Sequence, residues 1–203
     1  AGIIASGLGA KTLIVDAEDI GKGASTRNGG MFGAHPRVGW EQLSLNFGKE
    51  TADQIFKEAF DSLTFVRDLI SSEQINCDLI ESGRLQLAWS QNDHEKQKKL
   101  VSVIEEKSNI NVKIIPRNEL VNEIKTERYY GGILFEDHCG INPFKFHNGL
   151  INALRRKEVP IVENMPVFSI ERKGDRFKIH CGTKVIYARN VVMATNGYTK
   201  HSF

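Results

Sequence analysis

The residues best suited to chemistry stand near the start of the chain, where an apolar run reaches Asp16 and a glycine-rich loop follows. A carboxylate at the carboxyl end of a parallel strand can accept hydrogen bonds from both hydroxyls of a ribose. Glycines in the loop let backbone approach a phosphate or a flat ring, because they carry no Cβ. These glycines are Gly21, Gly23, Gly29 and Gly30. The order of these features predicts a nucleotide-binding βα unit.

Asp16 also has a simpler interpretation, in which its carboxylate only caps the turn after the strand. In dinucleotide-binding folds a GxGxxG turn precedes the acidic residue by about 20 residues. Only 15 residues precede Asp16 in this chain. We therefore expect the glycine fingerprint to lie before Ala1, and the chain to be a fragment of a longer protein.

The polar side chains of the loop suit an anion, although each has an alternative. Ser25 and Thr26 carry hydroxyls among amides that can form an anion-binding nest, or they can form a turn or a helix cap. Arg27 can pair with a phosphate or clamp a substrate carboxylate, although most single arginines simply lie on the surface. Asn28 can orient a ring or adopt a left-handed turn, and Gly29 and Gly30 would let backbone lie against that ring.

Hydrophobic spacing predicts the elements that position this loop. Helices are predicted over 1–6, 52–70, 91–107 and, after Asn142 as N-cap and Pro143 as first residue, up to 156, with a short helix after Pro116. Strands are predicted over 11–17, 112–115, 129–136, 159–162 and 190–194, and hairpins over 78–90 and 167–181. The first strand is expected to be buried on both faces, as parallel strands are.

The grouping of these elements predicts an α/β fold with an interruption. The βα elements at both ends of the chain enclose a stretch with antiparallel character. We expect a Rossmann-like domain over 1–74 and 137–203, interrupted by an α+β antiparallel substrate-domain segment over 75–136.

Composition excludes several classes of partner. The 27 basic and 25 acidic residues give a net charge of +2, so no strong field favours nucleic acid or an anionic membrane. No apolar run reaches the roughly 18 residues of a membrane span. The three cysteines form no CxxC pair, which argues against a disulfide framework and favours the cytoplasm.

One group of residues imitates a metal site. Asp137, His138, Cys139 and His147 include metal-binding types, but their spacing matches no recognised zinc site, and a helix start lies between them. We therefore predict no metal. The isolated histidines are expected at the surface or on strands; they are His94, His180 and His201.

Four blocks of sequence together resemble one family. They are GKGASTRNGGM at 21–31, INPFKFHNGLINAL at 141–154, VPIVENMPVFSIERKGDRFKIHCG at 159–182 and VVMATNGYT at 191–199. In this order and spacing they resemble the FAD-dependent amine and amino-acid oxidoreductases of the D-amino-acid oxidase superfamily. The loop resembles the gamma-glutamylputrescine oxidase branch, and glycine oxidase belongs to the same superfamily.

The resemblance implies a bound FAD and a role for each block. Asp16 would bind the ribose, the loop would bind the pyrophosphate and flavin, and the backbone of Val167 would read the adenine edge. The turn at the last block would approach the phosphates and ribose. The implied site residues are Asp16, Gly23, Ser25, Thr26, Arg27, Asn28, Gly29, Gly30, Val167, Ala194, Thr195 and Gly197. The loop holds neither His nor Cys and His35 is displaced from it, so noncovalent FAD is expected.

The implied activity is oxidation of the C–N bond of a small amine or amino acid, with hydride transfer to flavin N5 and hydrolysis of the imine. Oxygen or another acceptor would then reoxidise the flavin. An NAD(P)-dependent dehydrogenase would also use Asp16, but the antiparallel insertion and the RNGG sequence disfavour it. A noncatalytic nucleotide-binding fragment is a third possibility. The resemblance covers about half of such an enzyme, so this chain alone is expected to bind FAD weakly or not at all.

Overall fold

A computed structural model describes residues 1–34 and 36–199, which leaves His35 and His201 outside the described residues. The described residues form two compact units. Among the described residues, the first unit comprises 1–28 and 147–199, and the second unit comprises 29–34 and 36–146. These divisions differ in position from the predicted domains 1–74, 75–136 and 137–203, whose functional assignment stays a prediction.

The first unit contains a parallel strand pair and an antiparallel sheet. Helix α1 (Gly2–Gly7) precedes strand β1 (Ile14–Val15), which pairs in parallel with β7 (Ile161–Val162). Strands β8 (Ser169–Lys173), β9 (Arg176–Cys181) and β10 (Lys184–Ala188) form an antiparallel sheet in the order β10-β9-β8. The predicted hairpin over 167–181 is therefore confirmed, with a tight turn at Gly174.

The second unit combines helices with two antiparallel sheets. Its elements are β2 (Met31–Phe32), α2 (Trp40–Phe47), α3 (Lys49–Ser72), β3 (Arg84–Leu87), α4 (Gln91–Lys107), β4 (Val112–Pro116), β5 (Gly131–Phe135) and β6 (Cys139–Gly140). Strand β2 pairs with β6, and a three-stranded sheet has the order β3-β5-β4. Helix α5 (Pro143–Arg156) begins in this unit and continues into the first.

The largest apolar cluster lies in the second unit. Phe56 and Leu63 on α3, Ile104 on α4, and Ile133 and Phe135 on β5 are each at most 3% exposed. The helical spacing of the apolar residues on α3 and α4 places them on one face, which packs in this core. The sheet β3-β5-β4 thus has one face covered.

Three predicted strands differ from the structure. Residues 78–90 form no hairpin, because β3 pairs instead with β5, across residues that are distant in sequence. The strand predicted over 11–17 is limited to Ile14–Val15, and both residues are half-buried, since β7 flanks the pair on one side only among the described residues. Residues 190–194 form no strand.

Local patterns also missed some elements and one buried side chain. Helix α2 and strand β10 were not predicted from the sequence. His94 was expected at the surface or on a strand, but it lies on α4 and is 4% exposed. Its imidazole packs against Gly131, where any Cβ would collide with the ring. His180 lies on β9, as expected.

Candidate cofactor site

Asp16 lies immediately after β1, as predicted, and its carboxylate is exposed. The amide of Glu18 donates to Asp16 Oδ1 at 3.0 Å, so the carboxylate does cap the turn. Within the described residues, Asp16 Oδ2 accepts no hydrogen bond. The cap and a ribose contact are therefore compatible, since each uses a different oxygen.

Two of the four polar side chains over residues 25–28 hold the shape of the loop. The Thr26 hydroxyl donates to the carbonyl of Gly21 at 2.6 Å, across a short 3-10 turn (Ala24–Thr26). Asn28 Nδ2 donates to the carbonyls of Ala24 at 3.0 Å and Ser25 at 3.2 Å. These bonds close the loop on itself, so Thr26 and Asn28 act on the backbone.

The other two polar side chains are presented to solvent. The Ser25 hydroxyl is exposed and makes no hydrogen bond within the described part of the chain. The Arg27 guanidinium is exposed too, and its one bond is a long one, from Nε to the carbonyl of Gly23 at 3.4 Å. Among the described residues Arg27 has no ion pair, which leaves its charge available to an anion.

Val167 lies in the segment that follows β7, two residues beyond Met165. The amide of Met165 donates to the carbonyl of Asp16 at 2.8 Å, so this segment runs along the turn after β1. The side chain of Val167 is half-buried. Its own amide and carbonyl make no hydrogen bond within residues 1–34 and 36–199. A free donor and acceptor on one residue suit the edge of an adenine ring.

Residues 194–197 form an exposed turn in the same unit. Ala194, Thr195 and Gly197 are all exposed, and the Thr195 hydroxyl shares a short hydrogen bond with Thr199. Tyr198 approaches the glycine loop: a Cβ built on Gly23 would lie 3.9 Å from Tyr198 Cε2. The structure thus places two of the sequence blocks side by side.

Gly29 and Gly30 lie in the second unit, where Gly30 has a packing role. It is buried with φ +67°, and a Cβ there would overlap the carbonyl oxygen of Ile141. The amide of Ile141 donates to the carbonyl of Gly30 at 2.8 Å. Gly29 is exposed, and a Cβ on it would meet no atom within 4 Å. Close packing therefore accounts for Gly30 without a cofactor.

Two residues that were not predicted from the sequence form hydrogen bonds to the turn after β1. Glu163 Oε1 accepts from the amide of Ile20 at 2.7 Å, and Asn164 Nδ2 donates to Asp19 Oδ1 at 2.9 Å. Asn164 and Lys22 together hold the pKa of the Asp19 carboxyl below its usual value. The sequence position of Glu163 could have indicated this contact. Glu163 follows β7 as Asp16 follows β1, and the carboxyl ends of paired parallel strands lie at the same edge.

His147 packs against the start of the loop. A Cβ built on Gly21, whose φ is +86°, would lie 3.3 Å from His147 Cε1. His147 Nδ1 is buried there and makes no hydrogen bond among the described residues. His147 therefore lies beside the loop that the sequence assigns to a pyrophosphate. Within residues 1–34 and 36–199 no group of three or more His, Cys, Asp or Glu could hold a metal, and the absence of a metal stays a prediction.

The comparison with protein families identifies the cofactor of the family to which the chain belongs. The sequence model described as FAD dependent oxidoreductase (DAO) matches residues 3–203, nearly the whole chain. The chain belongs to the FAD dependent oxidoreductase family. The FAD prediction is thereby confirmed at the level of the family, in preference to the NAD(P) alternative.

Individual relatives of this DAO chain are similarly informative. The chain is 25% identical over 191 residues to a probable oxidoreductase OrdL of Rhizobium meliloti, and 26% identical over 198 residues to gamma-glutamylputrescine oxidoreductase of Escherichia coli. Each match covers 94% of this chain and 44% of the relative, so the chain spans less than half the length of these curated proteins. The resemblance to the superfamily is confirmed.

A solved structure confirms the predicted fold class. Glycine oxidase from Geobacillus kaustophilus superposes with a TM-score of 0.78 at 17% identity, over 95% of this chain and 50% of that one. At this identity the likeness speaks for the fold alone. The DAO chain therefore has the mixed architecture expected from its sequence.

The residues in the first unit fit an FAD. Among the described residues, Asp16 Oδ2, the Ser25 hydroxyl and the backbone of Val167 make no hydrogen bond, and the Arg27 guanidinium has no ion pair. They match the ribose, the pyrophosphate and the adenine edge in chemical type. The assignment of these residues to FAD remains a prediction. No helix in the described part of the chain is long and apolar enough to cross a membrane.

Proposed function

We propose that the protein catalyses FAD-dependent oxidation of the C–N bond of a small amine or amino acid. One observation carries the proposal. The amide of Met165 donates to the carbonyl of Asp16, so the segment that leads to Val167 is bonded to the residue whose Oδ2 accepts no hydrogen bond among the described residues. A carboxylate oxygen that would bind the ribose and a backbone segment that would bind the adenine therefore both follow the parallel strand pair of a DAO chain.

Each exposed polar group has a task at the cofactor. Asp16 would accept hydrogen bonds from the ribose hydroxyls, and Val167 would read the adenine edge through its amide and carbonyl. Arg27 and Ser25 would bind the pyrophosphate, because among the described residues the Arg27 cation has no ion pair and the Ser25 hydroxyl makes no hydrogen bond. Thr26 and Asn28 would keep the loop folded around that anion.

The bound FAD would supply the hydride acceptor for the carbon that bears nitrogen, and oxygen or another acceptor would restore it. The contribution of the chain is to bind the cofactor, to orient it and to exclude water. Similarity to gamma-glutamylputrescine oxidoreductase supports an amine substrate. Residues 75–136 would contribute to the substrate domain, and we place the protein in the cytoplasm.

The test is an absorbance spectrum of the protein expressed from its complete gene. We expect flavin bands, and we expect the flavin to separate from the protein after denaturation because it is noncovalent. Oxidation of a panel of small amines and amino acids should bleach those bands without oxygen. A protein with no flavin bands, even after incubation with FAD, would contradict the proposal.

A substitution tests the role of Arg27 in the same protein. Arg27→Ala should weaken FAD binding about tenfold or more, the size expected for a lost charge-assisted hydrogen bond. Arg176→Ala is the matched control, because Arg176 is also exposed in the first unit and has no described partner. Equal FAD affinities of the two variants would rule out a phosphate contact by Arg27.

A further inference from the structure

The turn after β1 is held by the segment that follows β7, and we call residues 163–165 the clamp. Among the described residues, three hydrogen bonds cross between them besides the bond from Met165 to Asp16 and those of the strand pair. The amide of Ile20 donates to Glu163 Oε1 at 2.7 Å, Asn164 Nδ2 donates to Asp19 Oδ1 at 2.9 Å, and the amide of Asn164 donates to the carbonyl of Glu18 at 3.2 Å. The clamp therefore reaches the last residues before the glycine loop.

The Glu163 bond is the one nearest to the loop. Ile20 directly precedes Gly21, whose φ of +86° turns the chain into the loop. Glu163 Oε1 supplies the acceptor for the Ile20 amide, a role that needs only a side-chain oxygen at that position. Glu163 thus determines where the chain leaves the turn, although Glu163 is 143 residues away in sequence.

The backbone of the clamp is shaped for this contact. Asn164 has φ +53°, a left-handed conformation that asparagine adopts more readily than most residues. This conformation accompanies the two contacts of Asn164, with Asp19 through its side chain and with Glu18 through its amide. Met165 then returns to the carbonyl of Asp16. On the other side of Glu163, the carbonyl of Val162 accepts from the amide of Asp16 at 2.9 Å, so the residues before and after Glu163 are both held.

We propose that Glu163 is a positioning residue, which holds the Ile20 amide and so sets the loop in the conformation that binds the FAD pyrophosphate. Its effect on FAD rests on the proposed function, whereas its effect on the loop does not. Glu163 acts through the backbone of Ile20 and needs no contact with the cofactor. A carboxamide, which also carries an acceptor oxygen, should therefore serve nearly as well.

The test compares Glu163→Ala with Glu163→Gln by two measurements. Hydrogen exchange of the Ile20 amide, measured by NMR in the apoprotein, should become about tenfold faster in E163A and change less than threefold in E163Q. In the protein expressed from its complete gene, which serves for both measurements and as the unsubstituted protein, the Kd for FAD should rise about tenfold in E163A and stay within about threefold in E163Q.

The matched control is Glu18→Ala, which removes a carboxylate from the same turn. The Glu18 side chain is exposed and has no described partner, so both measurements should match the unsubstituted protein. Unchanged Ile20 exchange in E163A would overturn the proposal, and so would an E163Q variant as defective as E163A. If the unsubstituted protein binds no FAD, the proposed function fails, and the exchange measurement still decides whether Glu163 holds the loop.

Discussion

Some polar side chains of the glycine loop stabilise its fold, and others are exposed to solvent. Thr26 and Asn28 donate hydrogen bonds to carbonyls of the loop itself, whereas Ser25 and Arg27 face solvent. Asp16 combines both tasks, because one carboxylate oxygen caps the turn and the other is unbonded among the described residues. The residue type alone therefore does not decide whether a polar side chain stabilises the loop or faces solvent. The position of nearby backbone carbonyls decides it.

Gly30 provides a prediction at the residue scale. Gly30→Ala should lower the free energy of unfolding by about 2–4 kcal/mol, because the new Cβ would overlap the Ile141 carbonyl and the residue would keep a positive φ. Chemical denaturation monitored by circular dichroism measures this loss.

Gly29→Ala is the matched control for that substitution. Gly29 is exposed, its φ is not in the left-handed region, and a Cβ on it would meet no atom within 4 Å. Its free energy of unfolding should change by less than about 0.5 kcal/mol. Equal losses for the two variants would show that the packing of Gly30 against Ile141 does not stabilise the second unit.

Helix α5 shows how local sequence defines an element. Pro143 occupies its first position, where the missing amide hydrogen costs nothing, and Asn142 Oδ1 accepts from the amide of Lys145 at 3.1 Å. Two arginines in the last turn oppose the negative end of the helix dipole. The start and the end of α5 therefore both follow from residues within or next to it.

The N-cap gives a prediction at the element scale. Asn142→Ala should cost about 1 kcal/mol of stability, because the Lys145 amide loses its acceptor, whereas Asn142→Asp should keep it. Thermal unfolding measures both changes. Asn148→Ala is the control, since Asn148 is exposed within α5, and it should be neutral or slightly stabilising. A loss in N142A no larger than in N148A would contradict the cap.

Elements with local determinants could be predicted, and elements with distant partners could not. Helices α4 and α5 begin and end at the predicted residues, since Ser90 and Asn142 cap them. Strand β3 was assigned the wrong partner, because its pairing with β5 depends on contacts across more than 40 residues. For the same reason Asp16 was found from its strand and loop, while Glu163 was missed.

Buried apolar side chains are distributed unevenly between the two units of the described chain. The main buried cluster, which includes Phe56, Ile104 and Phe135, lies wholly in the second unit. The first unit buries fewer apolar side chains, among them Ala153, Leu154 and Ile179. Because burial of apolar area is the main source of stability, we expect the first unit to open at lower denaturant concentration.

The three cysteines test this expectation, because each is buried in one of the units. Cys77 and Cys139, in the second unit, are 1% and 4% exposed, and Cys181, in the first, is 7% exposed. Burial raises the pKa of the Cys77 and Cys181 thiols, so at pH 8 the reactive thiolate is scarce in the folded protein. Alkylation by iodoacetamide should be at least about 100-fold slower than in the unfolded chain.

With increasing guanidinium, peptide mass spectrometry should detect labelling of Cys181 before Cys77. Simultaneous labelling of both would show that the two units unfold together, and rapid labelling without denaturant would contradict the burial itself.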